Sequence, residues 1–395
     1  MSIFEKTAPI LVTCPKGMPE YLQIELEALG YKDSELLDAG VLIKGTLKDC
    51  MRLNLWVRTG HRVLFELKRF RAFDGDEVYR NVYTLPWEDY IAQDGYFRVD
   101  ASIRDTTVND SRFASLRVKD AVADYFVEKF DERPDSGPET NGVCLFLYWR
   151  ENQATLYLDT TGDPLPKRGY RKRPHTAPMQ ETLAAACIIA GDWPRLAAEG
   201  GHFINPMCGS GTLAIEAALM ALKGAPGLLR NNLAFMQLPG FNPDEWEAMA
   251  NEAEDAENTD IKGRIIATDH DPDAIEAAKD NARQAGVGDF IEFKLCDYSE
   301  TEVPEGPGIV IFNAEYGERL GEVKELEAVY KGIGDFFKQH CGGKTGFIFT
   351  ASPILAKRVG LKTKRRRIFF NAKLECRLLE YELYAGTRKF KGEKE

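Results

Sequence analysis

Hydrophobic positions recur along this chain with two periods, and the switches between them predict its elements. An apolar run at 10–14 reads as a strand. Leu22, Leu26 and Leu29 then share one face of a helix over 18–29, which Gly30 closes. A strand at 40–45, a helix at 47–56 and an alternating strand at 62–67 complete a small α+β unit of ferredoxin-like form. A second stretch, 73–162, carries strand-like runs at 97–102, 144–149 and 153–159. Within it Ala114, Val118, Val122 and Phe126 mark one face of a helix over 111–130, and the tract 133–138 with Gly142 reads as loop. Prolines and glycines at 162–169 mark a boundary.

From residue 177 onward strands and helices alternate, which predicts a parallel sheet with crossover helices. Pro178 opens a helix over 179–189, where its missing N–H costs nothing. A short strand at 203–204 leads through a glycine-rich turn into a helix over 213–222. After a long insertion comes a strand ending at Asp269. Asp271 and Pro272 then cap and open a helix over 273–285, closed by Gly286. Strands follow at 290–295, 308–312 and 345–349, with a helix at 323–337 before the last of them. Two β-rich runs, 367–371 and 374–383, form a terminal hairpin. The expected fold is α/β, with domains at 1–68, 69–165 and 166–395, the last a doubly wound sheet.

Composition narrows the setting. The chain has 395 residues and a net charge of −11, yet its cations cluster. Lys167, Arg168, Arg171, Lys172 and Arg173 crowd around Tyr170, and a second group lies at 362–367. Each group reads either as a solvated face or as a contact for RNA phosphate. The eight cysteines form no C-x-x-C pair and the five histidines have no metal-ligand spacing, so no disulfide frame, zinc site or other metal is expected. No run is long and apolar enough to span a membrane, and residues 1–6 lack the form of a signal peptide. The expectation is a cytoplasmic protein with reduced thiols and no membrane partner.

The chemistry concentrates in Asn205-Pro206-Met207-Cys208-Gly209-Ser210-Gly211-Thr212. A glycine turn between strand and helix lets the backbone approach a ligand and presents helix N-terminal N–H groups. The next strand ends in Asp269, an acceptor suited to a ribose diol. No Gly-Lys-Ser/Thr follows the glycines, which argues against a triphosphate, and G-x-G without the third glycine argues against a dinucleotide. S-adenosylmethionine, with a ribose and no phosphate, fits these features best.

The chain resembles the THUMP-domain class I RNA guanine-N2 methyltransferases, and within them the large-subunit ribosomal RNA enzymes of the K/L type in a version with a single methyltransferase domain. The marks are Thr13-Cys14-Pro15-Lys16-Gly17, Asn54-Leu55-Trp56-Val57-Arg58-Thr59, Leu85-Pro86-Trp87-Glu88-Asp89-Tyr90, Lys167-Arg168-Gly169-Tyr170-Arg171, the glycine turn, Tyr316-Gly317-Glu318-Arg319-Leu320-Gly321 and Lys373-Leu374-Glu375-Cys376-Arg377-Leu378. The resemblance implies a ferredoxin-like domain, a THUMP RNA-binding domain and a Rossmann-like methyltransferase domain. It implies an RNA partner, ribosomal first and transfer RNA second. It places Asn205, Pro206, Gly209, Gly211 and Thr212 at the cofactor, with Gly209 and Gly211 facing the methionine part of S-adenosylmethionine, Asp269 on the ribose and Asp297 on the adenine amine. Asp297 also reads as a strand-end turn former. The family usually carries Asp where this chain has Asn205.

The family pattern after the fourth strand, Asn-Pro-Pro-Tyr-Gly, reads Asn313-Ala314-Glu315-Tyr316-Gly317 here. Asn313 and a main-chain carbonyl suit the two N–H bonds of an exocyclic base amine, and Tyr316 suits stacking on the base. Two prolines that would fix φ are missing. Glu315 reads either as an acceptor for guanine N1–H and N2–H or as a solvent-facing residue of a relaxed, catalytically weakened loop.

Overall fold

The computed structural model describes residues 2–173, 179–315 and 320–384, without the side chains of 320–323 and 325. The chain divides into two compact units. One holds Met1–Pro15, Leu22–Lys167 and Ala225–Asp255; the other holds Lys16–Tyr21, Arg168–Gly224 and Ala256–Glu395.

The first unit is built on one eight-stranded sheet. Its amino-terminal elements are β1 (Ala8–Thr13), α1 (Pro19–Ala28), β2 (Glu35–Leu37), β3 (Gly40–Gly45), α2 (Leu47–Trp56) and β4 (Arg62–Arg71). There follow α3 (Gly75–Tyr83), β5 (Tyr96–Arg104), α4 (Ser111–Phe130), β6 (Asp135–Ser136), β7 (Val143–Arg150) and β8 (Gln153–Asp159). The strand order is β2-β3-β1-β4-β8-β7-β5-β6. Caps set the helix starts. Thr46 and Asp49 form a reciprocal capping box at α2, and Asp110 accepts from Arg112 N at α4. β4 pairs antiparallel with β8 across a bulge between Glu66 and Lys68, so the two α+β stretches share one sheet and β4 runs through the expected junction at 68/69. Asn54 braces that joint: it is fully buried, donates to Thr160 Oγ1 at 2.9 Å and accepts from Thr161 Oγ1 at 2.8 Å.

The second unit contains α5 (Glu181–Ala190), α6 (Trp193–Ala198), β9 (His202–Pro206) and α7 (Thr212–Ala221). The insertion after α7 carries α8 (Pro243–Asp255), which belongs to the first unit; there Ala253 is buried in a cluster with Leu55 and Ala225. The second unit resumes with β10 (Ile265–Asp269), α9 (Pro272–Gln284), β11 (Glu292–Leu295), β12 (Gly308–Phe312), α10 (Leu320–His340), β13 (Thr345–Thr350), α11 (Pro353–Arg358), β14 (Arg365–Asn371) and β15 (Leu374–Glu382). Its seven strands run β11-β10-β9-β12-β13-β15-β14, parallel from β11 to β13 and antiparallel in the terminal hairpin. This is the expected doubly wound sheet. β9 is flanked by β10 on one side and β12 on the other, so the order reverses between β9 and β12 and opens a crevice at the strands' carboxyl ends. The expected start at Pro178 lies outside the described residues; α5 begins at Glu181.

Candidate functional site

Three strand ends meet at that crevice. β9 ends in Asn205-Pro206, β10 in Asp269, and β12 is followed by Asn313. Adjacent strands lie about 4.8 Å apart, so residues at neighbouring strand ends can share one ligand.

The glycine turn holds a shape that most residues resist. Met207, Gly209 and Gly211 have φ of +55°, +53° and +83°. A Cβ on Gly209 would meet no atom within 4 Å, whereas one on Gly211 would lie 3.0 Å from Ala278 Cβ in α9. The two glycines therefore serve different ends. Gly211 lets α7 and α9 pack closely, and Gly209 leaves open space beside the backbone. Asp269, buried at 7% exposure, braces the turn by accepting from Gly209 N at 2.9 Å through Oδ2. Its Oδ1 accepts from Asp271 N at 3.1 Å. Each carboxylate oxygen has a second lone pair, so Asp269 retains capacity for a diol. Bracing the turn is a task of Asp269 that the sequence reading, which expected the diol contact, did not include.

Asn205 ties the crevice walls together. Fully buried, it donates from Nδ2 to Ile311 O on β12 at 3.0 Å. Its Oδ1 is buried with no hydrogen-bond partner. A buried amide oxygen left unpaired costs free energy, and such an orphan beside a glycine cradle suits a ligand donor. Orphan acceptor, open cradle and acid on the neighbouring strand together fit a molecule bearing an ammonium group and a ribose. Burial, with the Asp269 charge second, pushes the Cys208 thiol above its ordinary range and so away from the thiolate form. Asp297 lies exposed after β11, where its Oδ1 accepts from Ser299 N at 2.9 Å and caps a short 3₁₀ turn. Asp297 thus forms a strand-end turn through one of its carboxylate oxygens.

The loop after β12 divides sharply. Asn313 is half-buried, Ala314 lies in the hydrophobic core at 2% exposure, and Glu315 is exposed. Tyr316 lies outside the described residues.

The basic cluster corrects the sequence reading. Arg168 and Tyr170, expected on RNA, are buried at 1% and 2% exposure. Both reach Glu216 Oε1 in α7, Arg168 Nε at 3.4 Å and Tyr170 Oη at 3.1 Å. A tyrosine so enclosed cannot stack on a base. Arg171 is mostly buried and pairs with Glu181. Lys167, Lys172 and Arg173 remain exposed, Lys167 beside Asp163 and Arg173 beside Asp280. Sequence reasoning also missed Asn281, a fully buried asparagine within α9. Its one signal was a poor helix former in an alanine-rich helix. Among the described residues no His, Cys, Asp and Glu group could hold a metal, and no helix is long and apolar enough to cross a membrane.

Comparison with known proteins adds the relatives of these parts. Residues 168–380 match the RMKL-like methyltransferase domain, 9–64 the RlmL ferredoxin-like domain and 73–159 the THUMP domain. The chain is 40% identical over 384 residues to the ribosomal RNA large subunit methyltransferase K/L of Syntrophotalea carbinolica, covering 95% of itself and 54% of that protein. It is 35% identical over 376 residues to the K/L protein of Pseudomonas aeruginosa, covering 94% of itself and 52% of that protein. The chain thus spans about half the length of the curated K/L relatives it matches. The Synechocystis protein slr0064, provisionally named an RNA methyltransferase, is 33% identical and matches 96% of this chain and 97% of its own length. Among solved structures SMU.472, crystallised in complex with SAH, superposes with a TM-score of 0.87 at 28% identity, covering 97% of this chain and 100% of that one.

Proposed function

This chain belongs to the RMKL-like methyltransferase family, and we propose that it transfers a methyl group from S-adenosylmethionine to the N2 amine of a guanine in large-subunit ribosomal RNA. The observation that carries the proposal is the convergence of the glycine cradle, Asp269 and Asn313 on one crevice at the carboxyl edge of the sheet. The cofactor class follows from the family and from the SAH complex of the related SMU.472. The RNA substrate follows from the THUMP domain and the K/L relatives.

When bound, S-adenosylmethionine supplies an electrophilic methyl on a sulfonium. The residues of this chain do the rest. Asp269 receives the ribose hydroxyls while holding the turn. Asn205 Oδ1 takes a donor from the methionine end. A guanine amine is a poor nucleophile because its lone pair is delocalised into the ring. Asn313 Oδ1 and the Ala314 carbonyl accept its two N–H bonds and aim the nitrogen, which is catalysis by positioning and electrostatics. The base must leave its own stack to enter. Methyl transfer would form the N–C bond as the C–S bond breaks, leave the electron pair on sulfur as S-adenosylhomocysteine, and pass the amine's surplus proton to solvent.

The test is mass spectrometry of nucleosides from a deletion strain, with methyl transfer by the recombinant chain to unmodified ribosomal RNA. N2-methylguanosine should vanish from one large-subunit position and return on complementation. Loss from transfer RNA instead would move the substrate. Cofactor binding without transfer to any RNA would remove the catalytic reading.

A further inference from the structure

Residues 168–173 contain four cations and one tyrosine, a composition that suggests solvent or nucleic acid. Their surroundings say otherwise. Arg171 sends Nη2 to Met179 O at 2.7 Å, to Thr212 Oγ1 at 3.1 Å and to Glu181 Oε1 at 3.2 Å. Thr212 is the first residue of α7, directly after the glycine turn. One step along, Lys172 N and Arg173 N both donate to Asn281 Oδ1, at 3.1 and 3.2 Å. The amide nitrogen of Asn281 donates to Arg173 O and to Ser210 O, each at 3.1 Å. Asn281 therefore uses its full hydrogen-bonding capacity to join this segment to the turn. Further back, Arg168 and Tyr170 grip Glu216, one helical turn beyond Thr212.

We propose that residues 168–173 form a strap that holds the glycine turn in its cofactor-binding shape, with Arg171 and Asn281 as positioning residues. This rests on the cofactor reading of the turn given above. The physical reason is conformational entropy. A turn with two glycines has unusual freedom to lose, and it binds more tightly when it is ordered beforehand. On either side of Gly211, Thr212 is fixed directly by Arg171 of the strap and Ser210 through Asn281, which the strap engages. Arg168 is buried and Arg171 mostly buried because they serve geometry, while Lys172 and Arg173 join the strap through their backbone and leave their side chains exposed. All three of Arg171's contacts leave from Nη2, at the far end of a guanidinium that outreaches a lysine ammonium.

That difference supplies the test. Arg171→Lys keeps the charge that an RNA contact would need and loses the reach that carries Nη2 to Met179 O and Thr212 Oγ1. Asn281→Asp keeps the acceptor for Lys172 N and Arg173 N and loses the donors to Arg173 O and Ser210 O. In the full chain, calorimetry with SAH should show Kd raised at least tenfold in each variant. Affinity for a ribosomal RNA fragment, and its salt dependence, should stay as in the wild type. Hydrogen exchange should quicken at 207–215 and stay unchanged in the central strands. Arg171→Lys, the more conservative change, carries the test if Asn281→Asp does not fold. SAH affinity within threefold of wild type together with unchanged exchange overturns the strap. So does a loss confined to RNA binding, which would return the cluster to RNA. A wild type that fails to bind SAH defeats the cofactor reading instead. The exchange comparison still decides the strap in that case, because protection of the turn that is indifferent to residues 171 and 281 rules it out.

Discussion

Replacing Gly209 and Gly211 one at a time by alanine should separate binding from packing within one turn. Both have positive φ, +53° and +83°, where an L side chain costs about 1–2 kcal/mol. At Gly209 nothing else is added, since the new methyl would meet no protein atom within 4 Å. Gly209→Ala should therefore lose about 1–2 kcal/mol of stability. That is a fall in melting temperature of roughly 2–8 °C for a unit of this size. At Gly211 the methyl would lie 3.0 Å from Ala278 Cβ and 3.3 Å from Ala278 Cα, closer than the packed helices allow. Overpacking adds about 1–3 kcal/mol, so Gly211→Ala should lose roughly 2–5 kcal/mol in all. Ligand affinity should show the opposite order of specificity. The Gly209 methyl enters the space assigned to the methionine end and should weaken SAH at least tenfold, about 1.4 kcal/mol, in a protein that is still folded. Urea unfolding beside SAH calorimetry gives both quantities. If Gly209→Ala binds SAH as the wild type does, the open side of the turn does not face the ligand and the placement of the cofactor is wrong.

Other perturbations reach the remaining parts of the site. Asn205→Asp removes the donor to Ile311 O and sets a carboxylate against that carbonyl. It should cost about 1–3 kcal/mol at pH 7. Burial would raise the new carboxyl's folded pKa, so its protonated form can donate and the deficit should shrink as pH falls; urea midpoints at pH 7 and pH 5 check the sign. Of the eight cysteines only Cys296 is not fully buried, so a maleimide should label it first, and SAH should slow the labelling. Burial pushes the Cys14 and Cys144 thiols up to about 12, so raising the pH to about 9 should not recruit them. Glu315→Gln should leave methyl transfer within threefold because the side chain is exposed; a loss beyond tenfold at unchanged SAH affinity would make Glu315 a guanine reader. Ala314→Gly should lower kcat while leaving the Kd for SAH unchanged, and equal loss of both would show that Ala314 matters only to stability.

How much the sequence disclosed depended on the range of the interactions. The bounds of α2 and α4 were legible to the residue, because Thr46 with Asp49 and Asp110 set their starts locally and the apolar period did the rest. The parallel sheet was legible from the alternation of elements. The glycine turn was legible because few residues tolerate its backbone. The pairing of β4 with β8 was not, since Leu64 meets Asp159 with no local signal of that register. α8 lay in an acidic insertion whose apolar partners, Leu55 among them, are remote in sequence. The basic cluster misled for the same reason. Charge argues for solvent unless a buried counter-ion is known, and Glu216 follows Arg168 by 48 positions.

The altered loop after β12 shows how packing can replace backbone restraint. A proline pair would fix φ at the two residues after the asparagine and so fix the direction of the first carbonyl. This chain has neither proline, which by itself enlarges the loop's conformational freedom. Yet Ala314 does not flex outward with Glu315. Its methyl belongs to a buried cluster with Phe312, Tyr330 and Ile333, all at or below 2% exposure. A side chain held in a close-packed core restrains the backbone on which it sits, because any large rotation of φ or ψ would pull the methyl out of contact. The same loop is tied from the strand side, where Asn205 Nδ2 fixes Ile311 O two residues before Asn313. The Ala314 carbonyl, to which the proposed mechanism assigns the amine, is thus anchored before and after Asn313 by a hydrogen bond and by packing, with no proline needed. Glu315, beyond the last anchor, is the first residue after β12 whose side chain is exposed, so its identity does not bear on how that carbonyl is held.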